Sequence, residues 1–297
     1  MEIEIIATKF YQYSVSIKGF SKQTIKRYKY VINSYRKFAG VSKVNEVTVD
    51  NVRNLFFYGR TERHWSPNTF LVFYKSLSVF FKWCISQGYL QENPIADLAK
   101  PKLEQKLPKR LAKQDALRLL EIVYNYPYSS TFLRYRNHAL FAMFIYAGLR
   151  LNECMQLKYS DVDLENKTIF IHLGKGSKDR MVPISSTLSV ILQKYLIERK
   201  KLNKTCPEFF ASYRLNQGFT QDGLKHLVEK IRAASKLKFS VHRLRHTFAT
   251  LMIEGGCDIY SLSKMMGHGD IKTTTIYLSA SIEHLQGQIM KHPLNTV

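Results

Sequence analysis

Apolar residues recur every three to four positions through residues 3–17, the spacing of one buried helix face. The same spacing returns in "SKQTIKRYKYVINSYRKF", where Ser21 suits an N-cap and Gly40 a stop. A third run, "TVDNVRNLFFY", begins after Thr48. A fourth opens on "SPNT", with Ser66 as cap and Pro67 at the first helical position, and continues through "FLVFYKSLSVFFKWCISQG" to Gly88. The pattern predicts a four-helix unit over residues 1–92. The next stretch, 93–110, holds three prolines and five Lys or Arg residues, and each X-Pro step disfavours helix before it, so it reads as a linker.

From residue 111 the pattern is mixed. Helical runs lie around 114–125 and 132–147, the second ending at Gly148. The short β-type runs "TIFIHL" and "RMVPIS" flank "GKGSKD", a glycine- and charge-rich hairpin tip. Helices are then predicted near 187–201, 220–236, 241–254, 258–266 and 270–278, and a last stretch sets Ile282, Leu285 and Ile289 on one face. The fold class expected is mainly α: an N-terminal four-helix domain (1–92), a linker (93–110), and a helical domain with a small antiparallel sheet (111–297). The threonine-rich "MMGHGDIKTTTIYLS" (265–279) looks unfit for core and is expected to be a polar turn and short helix.

Composition adds a partner to this outline. With 45% hydrophobic and 13% aromatic residues the chain can build cores, and 45 Lys and Arg against 23 Asp and Glu leave it at +22. Such an excess predicts affinity for polyanions, double-stranded DNA first. The second helix interleaves Lys22, Lys26, Arg27, Lys29, Arg36 and Lys37 with Tyr28, Tyr30 and Tyr35. An ordinary solvated face accounts for that run; the basic balance of residues 1–107, 17 cations against 8 anions, favours a phosphate-facing one. No apolar run approaches the roughly 20 residues of a membrane span. The N-terminus "MEIEIIATKF" lacks the basic start of a secretory signal. Cys84, Cys154, Cys206 and Cys257 are scattered without C-x-x-C spacing, as expected of reduced thiols in a cytoplasmic protein.

The candidate chemistry is cationic. No phosphate-binding nucleotide loop is present, so no nucleotide cofactor is expected. Asp161, Asp163 and Glu165 precede the turn signal Asn166-Lys167 and read as a structural turn rather than a metal site. His242 and His246 have zinc-like i, i+4 spacing, but Arg243 and Arg245 beside them would repel a cation. Within "HRLRH", His242 and Arg245 share a helix face and would suit a phosphate; an Arg and His holding a loop by hydrogen bonds explains the motif equally well. Arg150 follows the helix that ends at Gly148, Lys175 lies between two glycines at the hairpin tip, His268 lies between Gly267 and Gly269, and Tyr277 completes the set. Fixed cations can stabilise phosphoryl transfer without Mg²⁺. A tyrosine of pKa ~10 is only about 0.1% ionised at pH 7, so surrounding positive charge would have to activate it. A lysine in a groove could protonate the leaving oxygen.

In this order the motifs "AGLRLNE", "LGKGSKDRMVPIS", "HRLRHTFAT" and "MGHGDIKTTTIYL" resemble the tyrosine recombinase (integrase) family, and the likeness covers most of the chain. The resemblance implies that Arg150 and Arg245 clamp the scissile phosphate and that His242 and His268 are phosphate ligands and proton-transfer groups. Lys175 is then the general acid, Tyr277 the nucleophile, and Glu153 an acidic support. It implies strand exchange through a 3′-phosphotyrosyl intermediate, without metal or ATP, by four protomers on two DNA sites, with scope for an accessory protein or partner recombinase. The N-terminal helices would be a core-binding domain closing with the catalytic domain as a clamp, and residues 281–291 a tail packing either on a neighbouring protomer or on their own domain. Asn152, Met265 and Met266 depart slightly from the family pattern. With its first helix at the very start, the chain looks like the short Xer-type and transposon-encoded members. A tyrosine-type topoisomerase would do similar chemistry without joining sites. A non-catalytic DNA-binding factor would carry a broken site, and here all six positions are occupied.

Overall fold

In the computed structural model, residues 1–103, 108–172, 179–268 and 270–278 are described, together with Gln286 and Ile289, and the chain divides into two units, Met1–Gln105 and Lys106–Val297. The first unit has four helices, α1 (Ile3–Ser16), α2 (Lys22–Ala39), α3 (Val49–Thr61) and α4 (Pro67–Ser86). Their starts are set by side chains that satisfy otherwise orphaned backbone N–H groups. Ser21 Oγ accepts from Thr24 N at 3.2 Å, Ser66 Oγ from Thr69 N at 3.2 Å, and Thr48 and Asn51 cap each other reciprocally. Gly40 ends α2 with φ 65°, a conformation costly for any residue with a Cβ.

The core of this unit is aromatic. The Phe10 ring lies 5.3 Å from Tyr28, 5.3 Å from Phe80 and 5.5 Å from Trp83. Of the three tyrosines in the basic helix, Tyr28 and Tyr35 are buried and only Tyr30 is exposed. Ile95, within the stretch expected to be linker, is also buried against this core.

The second unit is built around α6 (Thr131–Tyr146), preceded by α5 (Lys113–Asn125). Residues Ala139 to Ile145 of α6 are buried without interruption, as in a helix enclosed on all sides. A short helix, α7 (Leu151–Gln156), leads to a three-stranded antiparallel sheet of β1 (Val162–Asp163), β2 (Thr168–Ile171) and β3 (Arg180–Pro183), in the order β1-β2-β3. Pairing of Ile169 with Val182 and Ile171 with Arg180 places all four on the face where Ile169, Ile171 and Val182 are buried. Then come α8 (Ser186–Lys201), α9 (Gln221–Ser235), α10 (Val241–Glu254), α11 (Ile259–Met266) and the single turn α12 (Lys272–Thr275).

Three features differ from expectation. Helix α7 and strand β1 are too short to leave a periodic signal. The helix expected over 270–278 shrinks to α12. Tyr277 is 2% exposed, packed with Phe248, Ala249, Ile253, Leu262 and Met266, so the threonine-rich segment does contribute to a core. The acidic cluster serves local structure: Asp161 accepts from Lys158 N at 2.9 Å, and Asp163 from Asn166 N at 2.8 Å. The hairpin tip 173–178, with Lys175, lies outside the described residues, as does most of the expected tail. No helix among the described residues is long and apolar enough to cross a membrane.

Candidate active site

The site begins at the end of α6. Gly148 turns the chain with φ 61°, and a Cβ there would stand 2.2 Å from the Phe248 ring. Its carbonyl accepts from Arg245 Nη1 at 2.6 Å. Three residues later α7 starts, and its first turn folds back on its N-cap, Arg150. Glu153 Oε2 accepts from the Arg150 backbone N at 2.7 Å, while Glu153 Oε1 accepts from Arg150 Nη1 at 2.7 Å.

Glu153 is the hub. Arg180, from β3, donates to both of its oxygens, at 2.9 and 2.8 Å, and Arg245 Nη1 stands 3.9 Å from it. Burial works against the Glu153 carboxylate, but hydrogen bonds and charge from Arg180, joined by Arg150, prevail and hold it down at about 2. The same three arginines grip three successive carbonyls at the end of α11. Arg180 Nε donates to Met265 O at 2.7 Å, Arg245 Nη2 to Met266 O at 2.5 Å, and Arg150 Nη2 to Gly267 O at 2.9 Å. Helix C-terminal carbonyls lack intrahelical partners and carry partial negative charge, so cations belong there. Gly267 is needed for two reasons: its φ is 61°, and a Cβ would come within 2.8 Å of the Arg180 guanidinium.

Beyond Gly267 the chain delivers two more groups. His268 Nε2 is 3.4 Å from Arg245 Nη2, and its Nδ1 is 2.7 Å from Thr274 Oγ1. Arginine can only donate, so Nε2 is the acceptor and Nδ1–H donates to the threonine. Tyr277 places its hydroxyl 2.7 Å from His246 Nδ1. The His246 ring is in turn 4.3 Å from that of His242, which is exposed.

The electrostatics are those of a cationic cluster awaiting an anion. Burial, reinforced by Arg150, pulls Arg245 down to about 10; it stays charged at neutral pH. Burial and the surrounding arginines depress His268 to about 4, and burial with Arg245 and Arg150 lowers His242. For Tyr277 burial outweighs the attraction of Arg245 and Arg150, so its hydroxyl sits above the ordinary 10. The positive charge of Arg245 and Arg150 works in the direction of ionisation, against the burial. Three guanidiniums face one carboxylate, and the Arg150 side chain remains 41% exposed, so the surplus charge can meet a solvent-borne anion.

Of the six residues expected from sequence, the structure gathers Arg150, His242, Arg245, His268 and Tyr277, while Lys175 lies outside the described residues. Two residues escaped sequence reasoning. Arg180 shares a strand face with buried Val182, so period-two alternation already aimed it inward. His246, weighed only as a zinc ligand, lies on the same helix face as His242 and contacts Tyr277. Among the described residues no cluster of three His, Cys, Asp or Glu could hold a metal ion.

Comparison with known proteins agrees with this architecture. Residues 109–284 match the phage integrase family, and residues 8–90 match the phage integrase N-terminal SAM-like domain. Tyrosine recombinase XerC of Oceanobacillus iheyensis is 30% identical over 98% of this chain and 97% of its own. Tyrosine recombinase XerD of Rickettsia bellii is 31% identical, over 97% of this chain and 98% of its own. Among solved structures, the XerH site-specific recombinase bound to its difH substrate superposes with a TM-score of 0.73 at 24% identity, covering 90% of this chain and 79% of that one. The Tn1549 transposon integrase in complex with transposon right-end DNA gives a TM-score of 0.76 at 18% identity, over 98% and 99% of the two chains. Family match, relatives and fold agree: the chain belongs to the phage integrase family, the tyrosine recombinases.

Proposed function

We infer that this protein is a site-specific DNA recombinase that cuts and rejoins strands through a 3′-phosphotyrosyl intermediate. The observation that carries the reading is a tyrosine docked beside an arginine cluster with more positive than negative charge. Arg150 and Arg245 hold the non-bridging oxygens of the scissile phosphate, His242 and His268 line the same phosphate, and Glu153 fixes the arginines. Tyr277 attacks phosphorus, the 5′ oxygen leaves, and Lys175 protonates it. The phosphotyrosyl bond keeps the energy of the cut linkage, so rejoining needs neither ATP nor a metal ion.

Residues 1–92 act as a core DNA-binding domain whose basic α2 follows the phosphate backbone, 93–110 as the tether, and 111–297 as the catalytic domain. Protomers assemble as a tetramer on two DNA sites. The setting is the cytoplasm, where chromosomal DNA is available.

The test is covalent trapping. Purified protein and Tyr277→Phe are incubated with nicked duplexes spanning the DNA that flanks its gene, then denatured in SDS. A protein–DNA adduct that requires Tyr277 and survives EDTA is expected. Salt-sensitive binding without any adduct would overturn the catalytic reading.

A further inference from the structure

The cleavage step needs a group to take the proton of Tyr277, and the geometry points to His246 as that group. This rests on the recombinase reading above and adds a catalytic residue to it. Among the described residues the Tyr277 hydroxyl makes one hydrogen bond, to His246 Nδ1 at 2.7 Å, within the range for direct proton transfer. The other candidates are committed elsewhere. Arginines cannot accept. His268 directs Nε2 to Arg245 and Nδ1 to Thr274. His242 is exposed, its ring 4.3 Å from that of His246, and is suited to the phosphate instead.

The surroundings of His246 keep its ring neutral, and in the Nε2–H tautomer Nδ1 accepts the phenolic hydrogen. Burial, then the neighbouring His242 and Arg245 on the same helix, hold it at about 4, so the ring is neutral at physiological pH. Burial disfavours the free Tyr277 phenolate, so an acceptor in direct hydrogen-bond contact favours attack by letting the proton leave as the bond to phosphorus forms.

The Tyr277 oxygen–phosphorus bond forms as the phenolic proton passes to His246 Nδ1. The bond from phosphorus to the 5′ oxygen breaks, and its electron pair leaves with that oxygen, which takes a proton from the general acid. Negative charge moves onto phosphoryl oxygens held by arginine, so no free phenolate forms. In rejoining, the imidazolium returns its proton to the departing tyrosine oxygen.

The experiment uses the full chain on the nicked duplexes above, comparing wild type, His246→Ala and His246→Gln, with DNA affinity measured in parallel. His246→Ala is expected to slow adduct formation by 10²–10⁴-fold, leave DNA affinity unchanged, and recover when imidazole is added. His246→Gln, which can accept a hydrogen bond but not a proton, is expected to stay slow. A Gln variant as fast as wild type, or an Ala variant that imidazole does not rescue, overturns the assignment while the recombinase reading stands. Absence of adduct with wild-type protein overturns that reading, and this one with it.

Discussion

Among the described residues of Met1–Gln105 the buried polar side chains are Ser14 and Ser76, whereas Lys106–Val297 buries Arg136, Arg199 and Arg245 together with Asp161 and Glu198. The first unit is held by apolar burial, which is non-directional and tolerates charge only at the rim. The second accepts buried cations, and they are of two kinds. Arg136 donates to Asn137 Oδ1 and Ala211 O while stacking 3.9 Å above the Phe219 ring, and Arg199 donates to Cys206 O and Glu208 O. These two are tethers for the irregular 206–211 segment. Arg245 belongs to the other kind, since it shares one carboxylate with two further arginines. A lone buried cation with carbonyl partners is structural; a surplus of cations around one anion marks a binding site.

That distinction can be broken experimentally. The largest effect is expected from Arg180→Met, which leaves Glu153 buried with half of its partners. A loss on the order of 3 kcal/mol is predicted in the second unit, along with the adduct. Hydrogen exchange at α10 and α11 would measure it, while fluorescence from Trp65 and Trp83, both in the first unit, should hold steady. Acid should act next. The Glu153 carboxyl lies at about 2 against an ordinary 4.5, so its stabilisation is complete above about pH 4.5 and is lost as pH falls towards 2. The gap is worth on the order of 3 kcal/mol, and an acid titration should open α11 before the aromatic core of the first unit. The smallest effect belongs to Arg36→Met. Arg36 pairs with Glu4, which is 72% exposed, so less than about 1 kcal/mol is expected in urea unfolding followed by tryptophan fluorescence. Equal losses from Arg36→Met and Arg180→Met would erase the contrast between the units.

Legibility followed the range of the forces involved. Ser21, Thr48, Ser66 and Gly40 act on backbone groups within a few residues, so the N-terminal helices could be read almost to the residue. Helix α7, at six residues, and β1, at two, are shorter than the periods that reveal such elements. Threonines 273–275 looked like surface, yet Thr274 is fully buried because its hydroxyl has a partner in His268 Nδ1. The cationic character of the site was legible from residue types and order. The arrangement of its hydrogen bonds was not, because Arg180 meets Glu153 across 27 positions and His246 meets Tyr277 across 31.

The sequence by itself determined the helical framework, the excess of positive charge and five of the residues that the fold gathers at the site, because spacing, capping and charge are local properties of the chain. Tertiary structure alone decided that three arginines share Glu153 and the end of α11, that Tyr277 is buried rather than exposed, and that its hydroxyl rests on His246. Those outcomes depend on which distant side chains a buried polar group can reach once water is excluded, and only the folded chain sets that choice.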